Sequence, residues 1–174
     1  MLRIRSFVVA ALAAVAAVGL LAGPAAASEA DTTAAPSVQQ QIDAQLRAAP
    51  GGVQTSANEI AWRDGAVVMT FPNVQQGEFT TLAVANCPSG SFCFWDAANF
   101  EGRRLQFSDC GRQDLGDYGF RNRATSWQNT TASRVNVYQS DAIDDLLWTM
   151  APRGRSANVG AADNDRADYF VRVC

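Results

Sequence analysis

Apolar and polar positions alternate in short runs through residues 87–174, and polar, glycine-bearing turns separate the runs. A period of two broken by such turns predicts strands rather than helices. The strands fall at 92–96, 103–107, 126–130, 134–139, 146–150 and 169–173, with short pieces near Leu115 and Asn158 completing two four-stranded units. Val135, Val137 and Leu147 are expected in the core. Gly102 lies between the first two runs, where a folded-back hairpin needs a residue at positive φ. Trp95 and Phe100 are placed to cap that turn from both sides. Upstream, residues 38–49 carry Ile42 and Leu46 four apart among polar neighbours, the pattern of a short amphipathic helix. Ser37 is its expected N-cap, Gln40 completes a capping box, and Pro50-Gly51-Gly52 ends it. Residues 53–71 read as a β-hairpin that turns at Arg63-Asp64-Gly65. A lone hairpin is marginal in water, so it must pack on the helix, on the C-terminal part or on a second chain. Residues 72–86 form a connector, with an extra strand expected at 79–83.

A shift of 43 residues lays the C-terminal part on itself. Trp95 falls on Tyr138, Phe100 on Ile143 and Leu105 on Trp148. The same shift places Asn122-Arg123-Ala124-Thr125-Ser126-Trp127 on Asp165-Arg166-Ala167-Asp168-Tyr169-Phe170, with Arg-Ala common to both. Two copies are too few for a solenoid and imply a two-motif β domain with pseudo-twofold symmetry.

Composition narrows the chemistry. The 174 residues include no histidine and no lysine, and all fourteen basic residues are arginine. Histidine triads, Cys-His pairs, Ser-Lys dyads and Schiff bases are therefore excluded. Carboxylate pairs remain, and Asp144-Asp145 and Asp163-x-Asp165 lie in predicted loops, where acids are ordinarily solvated. The chain therefore reads as a non-enzyme. Residues 1–27 show Arg3 and Arg5, an apolar run and a Pro24-Ala25-Ala26-Ala27 exit, the pattern of an export signal. An uncleaved anchor is the alternative, and cleavage leaves no stable membrane association. Losing Arg3 and Arg5 takes the net charge from −3 to −5, which leaves no electrostatic footprint for nucleic acid. Residues 28–50 then hold a linker and the short helix, 51–86 the hairpin and connector, and 87–174 the main domain. Export would place the four cysteines in an oxidising compartment, where they pair in one of three ways. A four-thiolate zinc site is the rival, but gaps of 5, 16 and 63 residues are not zinc spacings.

The motif Trp95-x4-Phe100-x-Gly102, followed a loop later by Asn122-x-x-Thr125-Ser126, resembles the βγ-crystallin Greek key. Cys87-Pro-Ser-Gly-Ser-Phe-Cys93 before it resembles the opening of secreted actinobacterial inhibitors with that fold, peptidase inhibitor family I36. The second copy departs from the motif at Asp145, which replaces the glycine, and at Asp168-Tyr169, which replaces Thr-Ser. The resemblance implies an all-β, two-motif Greek-key sandwich carrying the N-terminal helix and hairpin. It implies bridges Cys87–Cys93 and Cys110–Cys174, secretion, and an extracellular peptidase as partner. The family's inhibitors are metalloproteinase-inhibitor-like; the inhibitory loop would be Pro152-Arg153-Gly154-Arg155-Ser156, where Arg153 or Arg155 could enter an acidic specificity pocket, whereas Leu146-Leu147-Trp148 would suit the apolar pocket of a thermolysin-like metalloprotease but reads as strand. No cofactor is required, but calcium-binding relatives of the fold imply a Ca2+ site. Its ligands would be Thr125 with the Arg123 carbonyl, Asp168 with the Arg166 carbonyl, and the hairpin positions Glu101 and Asp144. A calcium-binding or structural module without inhibitory activity is the alternative function.

Overall fold

The computed structural model describes residues 35–72, 87–140 and 144–174. Residues 1–34, read as an export signal and the start of the linker, the strand expected at 79–83 and Ile143 lie outside the described residues. Helix α1 covers Val38–Ala48, and its capping box is present. The Ser37 hydroxyl accepts from the Gln40 N–H, and the Gln40 side chain accepts from the Ser37 N–H at 2.8 Å. Ile42 and Gln45 form its buried face.

Residues 53–71 make three strands, not a two-stranded hairpin: β1 (Val53–Ser56), β2 (Glu59–Trp62) and β3 (Val67–Thr70). The extra turn is built by side chains, since the Ser56 hydroxyl accepts from the Asn58 N–H and Asn58 Nδ2 donates to the Phe71 carbonyl. Serine and asparagine turn a chain in this way without a glycine to mark the place. The C-terminal part supplies β4 (Phe92–Trp95), β5 (Arg104–Phe107), β6 (Gly111–Asp114), β7 (Ser126–Asn129), β8 (Val135–Gln139), β9 (Asp145–Met150), β10 (Arg155–Ser156) and β11 (Tyr169–Arg172). The short pieces expected near Leu115 and Asn158 are β6 and β10.

Two sheets result, ordered β1-β2-β3-β5-β4-β7-β10 and β6-β11-β8-β9. Strands β4–β7 form one Greek key and β8–β11 the other. The third strand of each key, β6 or β10, pairs in the sheet of its counterpart. This is the all-β Greek-key sandwich that the resemblance implied, with the two motifs that the repeat implied. Equivalent bonds recur across the 43-residue shift. Thr125 N–H donates to the Trp95 carbonyl and Asp168 N–H to the Tyr138 carbonyl, both at 2.9 Å. Ala124 and Ala167, the alanines of the shared Arg-Ala pair, are both fully buried.

The core lies between the sheets. Phe92 and Phe107 stack at 5.4 Å, and Phe170 of the second sheet meets them edge-on at 5.0 and 4.6 Å. Such pairs add about 0.5–1.5 kcal/mol each beyond area burial. At the hairpin between β4 and β5, Gly102 (φ +77°) leaves room for Asp96, whose Oδ1 would lie 2.1 Å from a Cβ there. Asp96 in turn accepts from the Arg103 N–H at 2.6 Å and from Arg103 Nε at 2.7 Å. Trp95 and Phe100 meet edge-on at 5.3 Å over this turn.

The N-terminal strands join the same sandwich. β3 pairs antiparallel with β5, Val67 opposite Phe107 through Thr70 opposite Arg104, so the edge of the first key is covered. Trp62 meets Tyr118 edge-on at 5.6 Å, and Gln45 Nε2 donates to the Tyr118 carbonyl at 2.7 Å. Burial holds the Tyr118 phenol above its ordinary pKa. Gly119 (φ +61°) has no side chain because a Cβ would stand 2.5 Å from Gln45 Nε2.

Cys87 bridges Cys93 across a small loop, and Cys110, just before β6, bridges Cys174, just after β11. The second bridge closes a loop of 64 residues and fastens an exchanged strand to its host sheet. The double variant Cys110→Ala/Cys174→Ala should lose about 2–5 kcal/mol in chemical denaturation. A loss below about 1 kcal/mol would mean that the exchange holds without the bridge.

Candidate functional site

The segment 151–156 connects β9 to β10 at the end of the first sheet. Gly154 N–H donates to the Ala151 carbonyl at 3.0 Å and closes a turn, with Arg153 left-handed at φ +57°. Arg153 N–H donates to the Thr131 carbonyl at 3.1 Å, and the Gly154 carbonyl accepts from the Asn129 N–H at 2.8 Å. Beneath the turn, Asn129 Nδ2 donates to the carbonyls of Met150 and Ser133, and its Oδ1 accepts from the Thr131 hydroxyl and N–H. Asn129 and Thr131 are buried, so this polar network is shielded from water and rigid. The backbone is thus fixed from below, while Pro152, Arg153 and Arg155 are exposed and Ser156 is half-buried.

Strand β10 pairs antiparallel with β7, Arg155 opposite Gln128 and Ser156 opposite Trp127. Gln128 also stands opposite Cys93 in β4, and the neighbouring Thr130 N–H donates to the Ser91 carbonyl on that side. Ladder bonds alternate sides along a strand. Ser156 therefore bonds inward to Trp127, and the N–H and C=O of Arg155 point away from the sheet. Among the described residues no strand lies beyond β10.

The disulfide loop 87–93 stands beside this turn on the same strand. Cys87 N–H donates to Gln128 Oε1 at 3.0 Å, and Thr130 Oγ1 lies 2.7 Å from the carbonyl oxygens of both Pro88 and Ser91. A cleft of about 330 Å3 lies here, lined by Cys87, Ser89, Gln128, Asn129, Thr130 and Arg153. Arg134, Arg153 and Arg155 are exposed at this end, and among the described residues none of the three makes an ion pair. The resemblance implied the Cys87–Cys93 loop, but nothing in the sequence placed it beside this turn or showed the buried network. The signal that was available is Asn129-Thr-Thr-Ala-Ser133, a polar run with no charge.

The positions that the resemblance implied for calcium have the following surroundings. Glu101 is exposed, and its N–H closes a turn on the Ala98 carbonyl. Arg123 is exposed, and Thr125 Oγ1 reaches the Asp96 carbonyl only at 3.5 Å. Asp144 lies beside Tyr169; burial chiefly, and this carboxylate in addition, hold the Tyr169 phenol above its ordinary pKa. Asp168 is buried, and its oxygens face donors: the Ser140 N–H at 2.8 Å, Arg121 Nε at 3.4 Å and, with its amide turned to donate, Asn122 at 3.1 Å. The same Asn122 amide reaches the Arg166 carbonyl at 3.2 Å. Arg121 also pairs with Asp114. The Arg166 side chain donates to Gln139, to the Ala162 carbonyl at 2.9 Å and toward Asp145 at 3.4 Å. Among the described residues no three acidic or thiol groups converge to hold a metal. Guanidinium groups stand where a cation would be drawn, so the Asp168 loop does not fit Ca2+.

The model of peptidase inhibitor family I36 matches residues 80–150. The resemblance read from the sequence is borne out over that stretch. No curated protein matches the chain. Solved structures similar to it include a chain from work on the evolution of the eye-lens βγ-crystallin domain fold, 14% identical, covering 52% of this chain and 92% of that one, with a TM-score of 0.45. A βγ-crystallin domain from Clostridium beijerinckii is 20% identical, with coverage of 47% and 95% and a TM-score of 0.41. A βγ-crystallin from Ciona intestinalis is 16% identical, with coverage of 48% and 100% and a TM-score of 0.41.

Because Asp168 already faces a guanidinium, millimolar Ca2+ or a chelator should leave the melting temperature unchanged. A ligand that bound the folded state at 100 times its dissociation constant would add about 2.7 kcal/mol, and a rise of several degrees would show that Ca2+ is held.

Proposed function

We propose that this chain is exported and inhibits an extracellular peptidase by presenting residues 151–156. The observation that carries the reading is the fixation of that backbone. Bonds from Thr131, Asn129 and Trp127 hold it in place while Pro152, Arg153 and Arg155 project outward. A peptidase inhibitor must offer its enzyme a segment that loses little freedom on binding, and a loop held from beneath loses little. The match of residues 80–150 to the inhibitor family supports the same reading and ends just before this segment. Two disulfides support an oxidising compartment. The absence of histidine and lysine from the sequence argues against the chain being a peptidase or other hydrolase of the triad or dyad kind.

The test is a panel of thermolysin-like, subtilisin-like and trypsin-like enzymes assayed with equimolar and excess protein. At least one should be slowed at micromolar concentration, and replacing residues 152–156 by glycine and serine should abolish the effect. No slowing of any enzyme would leave a structural module without inhibitory activity. Slowing that survives the loop replacement would place inhibition on another surface.

A further inference from the structure

Resting on the inhibitor reading, we propose that the tip of the disulfide loop, Pro88-Ser89-Gly90, is a second segment that the target peptidase contacts. The enzyme then meets two loops held as one rigid surface, not residues 151–156 alone. Size calls for a second element. A stable protein–protein interface covers about 800 Å2 on each partner, roughly 20–30 residues a side. Residues 151–156 are six. An enzyme that grips them must also cover exposed surface next to them. The tip is such surface: all three of its residues are exposed, and Ser89 lines the same cleft of about 330 Å3 as Arg153.

One stretch of chain holds both loops. Residues 128–131 run out of β7 between them, and successive residues serve opposite sides. The Asn129 N–H donates to the Gly154 carbonyl at 2.8 Å, and the Thr131 carbonyl accepts from the Arg153 N–H at 3.1 Å. On the other side, the Thr130 N–H donates to the Ser91 carbonyl at 2.9 Å. An extended backbone imposes this alternation, because consecutive N–H groups point to opposite edges. Side chains divide the same way. Gln128 Oε1 accepts from the Cys87 N–H at 3.0 Å, whereas Asn129 Nδ2 donates to the Met150 carbonyl at 3.2 Å. Within the tip, the Ser91 N–H is shared between the Pro88 carbonyl at 3.2 Å and the Thr130 hydroxyl at 3.1 Å. Gly90 takes φ +77° in this turn, and the Cys87–Cys93 bridge closes the loop. The tip therefore loses little freedom when an enzyme closes on it, as residues 151–156 do. Ser89 and Gly90 are small and uncharged, so covering them strips no ion of its water. Neither loop can shift against the other without breaking bonds to residues 128–131. Their spacing is thus fixed before binding, and it favours an enzyme whose surface fits both.

The probe is whichever of thermolysin, subtilisin and trypsin the full protein slows most, with the variants Ser89→Trp and Ala44→Trp. Ser89→Trp sets a bulky ring on the exposed tip. Ala44 is exposed on helix α1, so its variant adds the same ring to another element. Ser89→Trp should weaken inhibition about 10-fold or more, through a clash at the contact. Ala44→Trp should inhibit as wild type, and both variants should melt as wild type does. Hydrogen–deuterium exchange of the wild-type protein, free and in the complex, is a second measurement that needs no variant. Peptides covering 88–91 and 151–156 should both exchange more slowly in the complex. Full inhibition by Ser89→Trp, or slower exchange at 151–156 without any at 88–91, would overturn the second contact while sparing the inhibitor reading. A loss from Ala44→Trp equal to that from Ser89→Trp would trace the effect to the added ring itself and would also overturn the second contact. No inhibition of any enzyme by the wild-type protein would overturn both.

Discussion

The exchange of a strand between the two Greek keys is the constraint on which the rest of this molecule depends. Neither key completes a sheet of its own. β6 leaves the first key to pair with β11, and β10 leaves the second to pair with β7. The sheets are therefore held face to face by chain connectivity as well as by the Phe92, Phe107 and Phe170 cluster. Cys110–Cys174 fastens one exchange covalently. The other exchange has no bridge; it is held by the buried network of Asn129 and Thr131 under residues 151–154. The element that would face a peptidase is thus also the element that locks β10 into its host sheet, which is why it is rigid.

Arginine does all the cationic work, in two separate ways. Arg103, Arg121 and Arg166 are bound inside the loops by Asp96, by Asp114 and Asp168, and by Gln139 and the Ala162 carbonyl. A planar guanidinium donates in several directions at once, so it can brace two loops where an ammonium would not. Arg153 and Arg155 lack such partners among the described residues. The contrast distinguishes cations that hold the fold from cations that are available to something else.

The strands and the repeat were legible because alternation and turn residues are local signals. The capping box at Ser37 and Gln40 was legible for the same reason. The β1–β2 turn was missed because Ser56 and Asn58 turn the chain with side-chain bonds that leave no glycine or proline. The pairing of β3 with β5 could not be read, since nothing local to Val67–Thr70 specifies which edge it covers. The donors around Asp168 come from positions 121, 122 and 140, and only the fold brings them together. At the candidate loop, exposure and the arginines were visible in the sequence. The left-handed turn at Arg153, the outward edge of Arg155 and the network beneath were not, because they follow from register with β7.

The account joins a rigid support to an exposed loop, residues 151–156, at the end of the first sheet. It is tested most directly by the crystal structure of the protein bound to whichever peptidase of the panel it slows. The account predicts residues 151–156 in the enzyme's cleft, with their backbone unchanged from the free protein. Contact through any other face, or a loop rebuilt on binding, would contradict it.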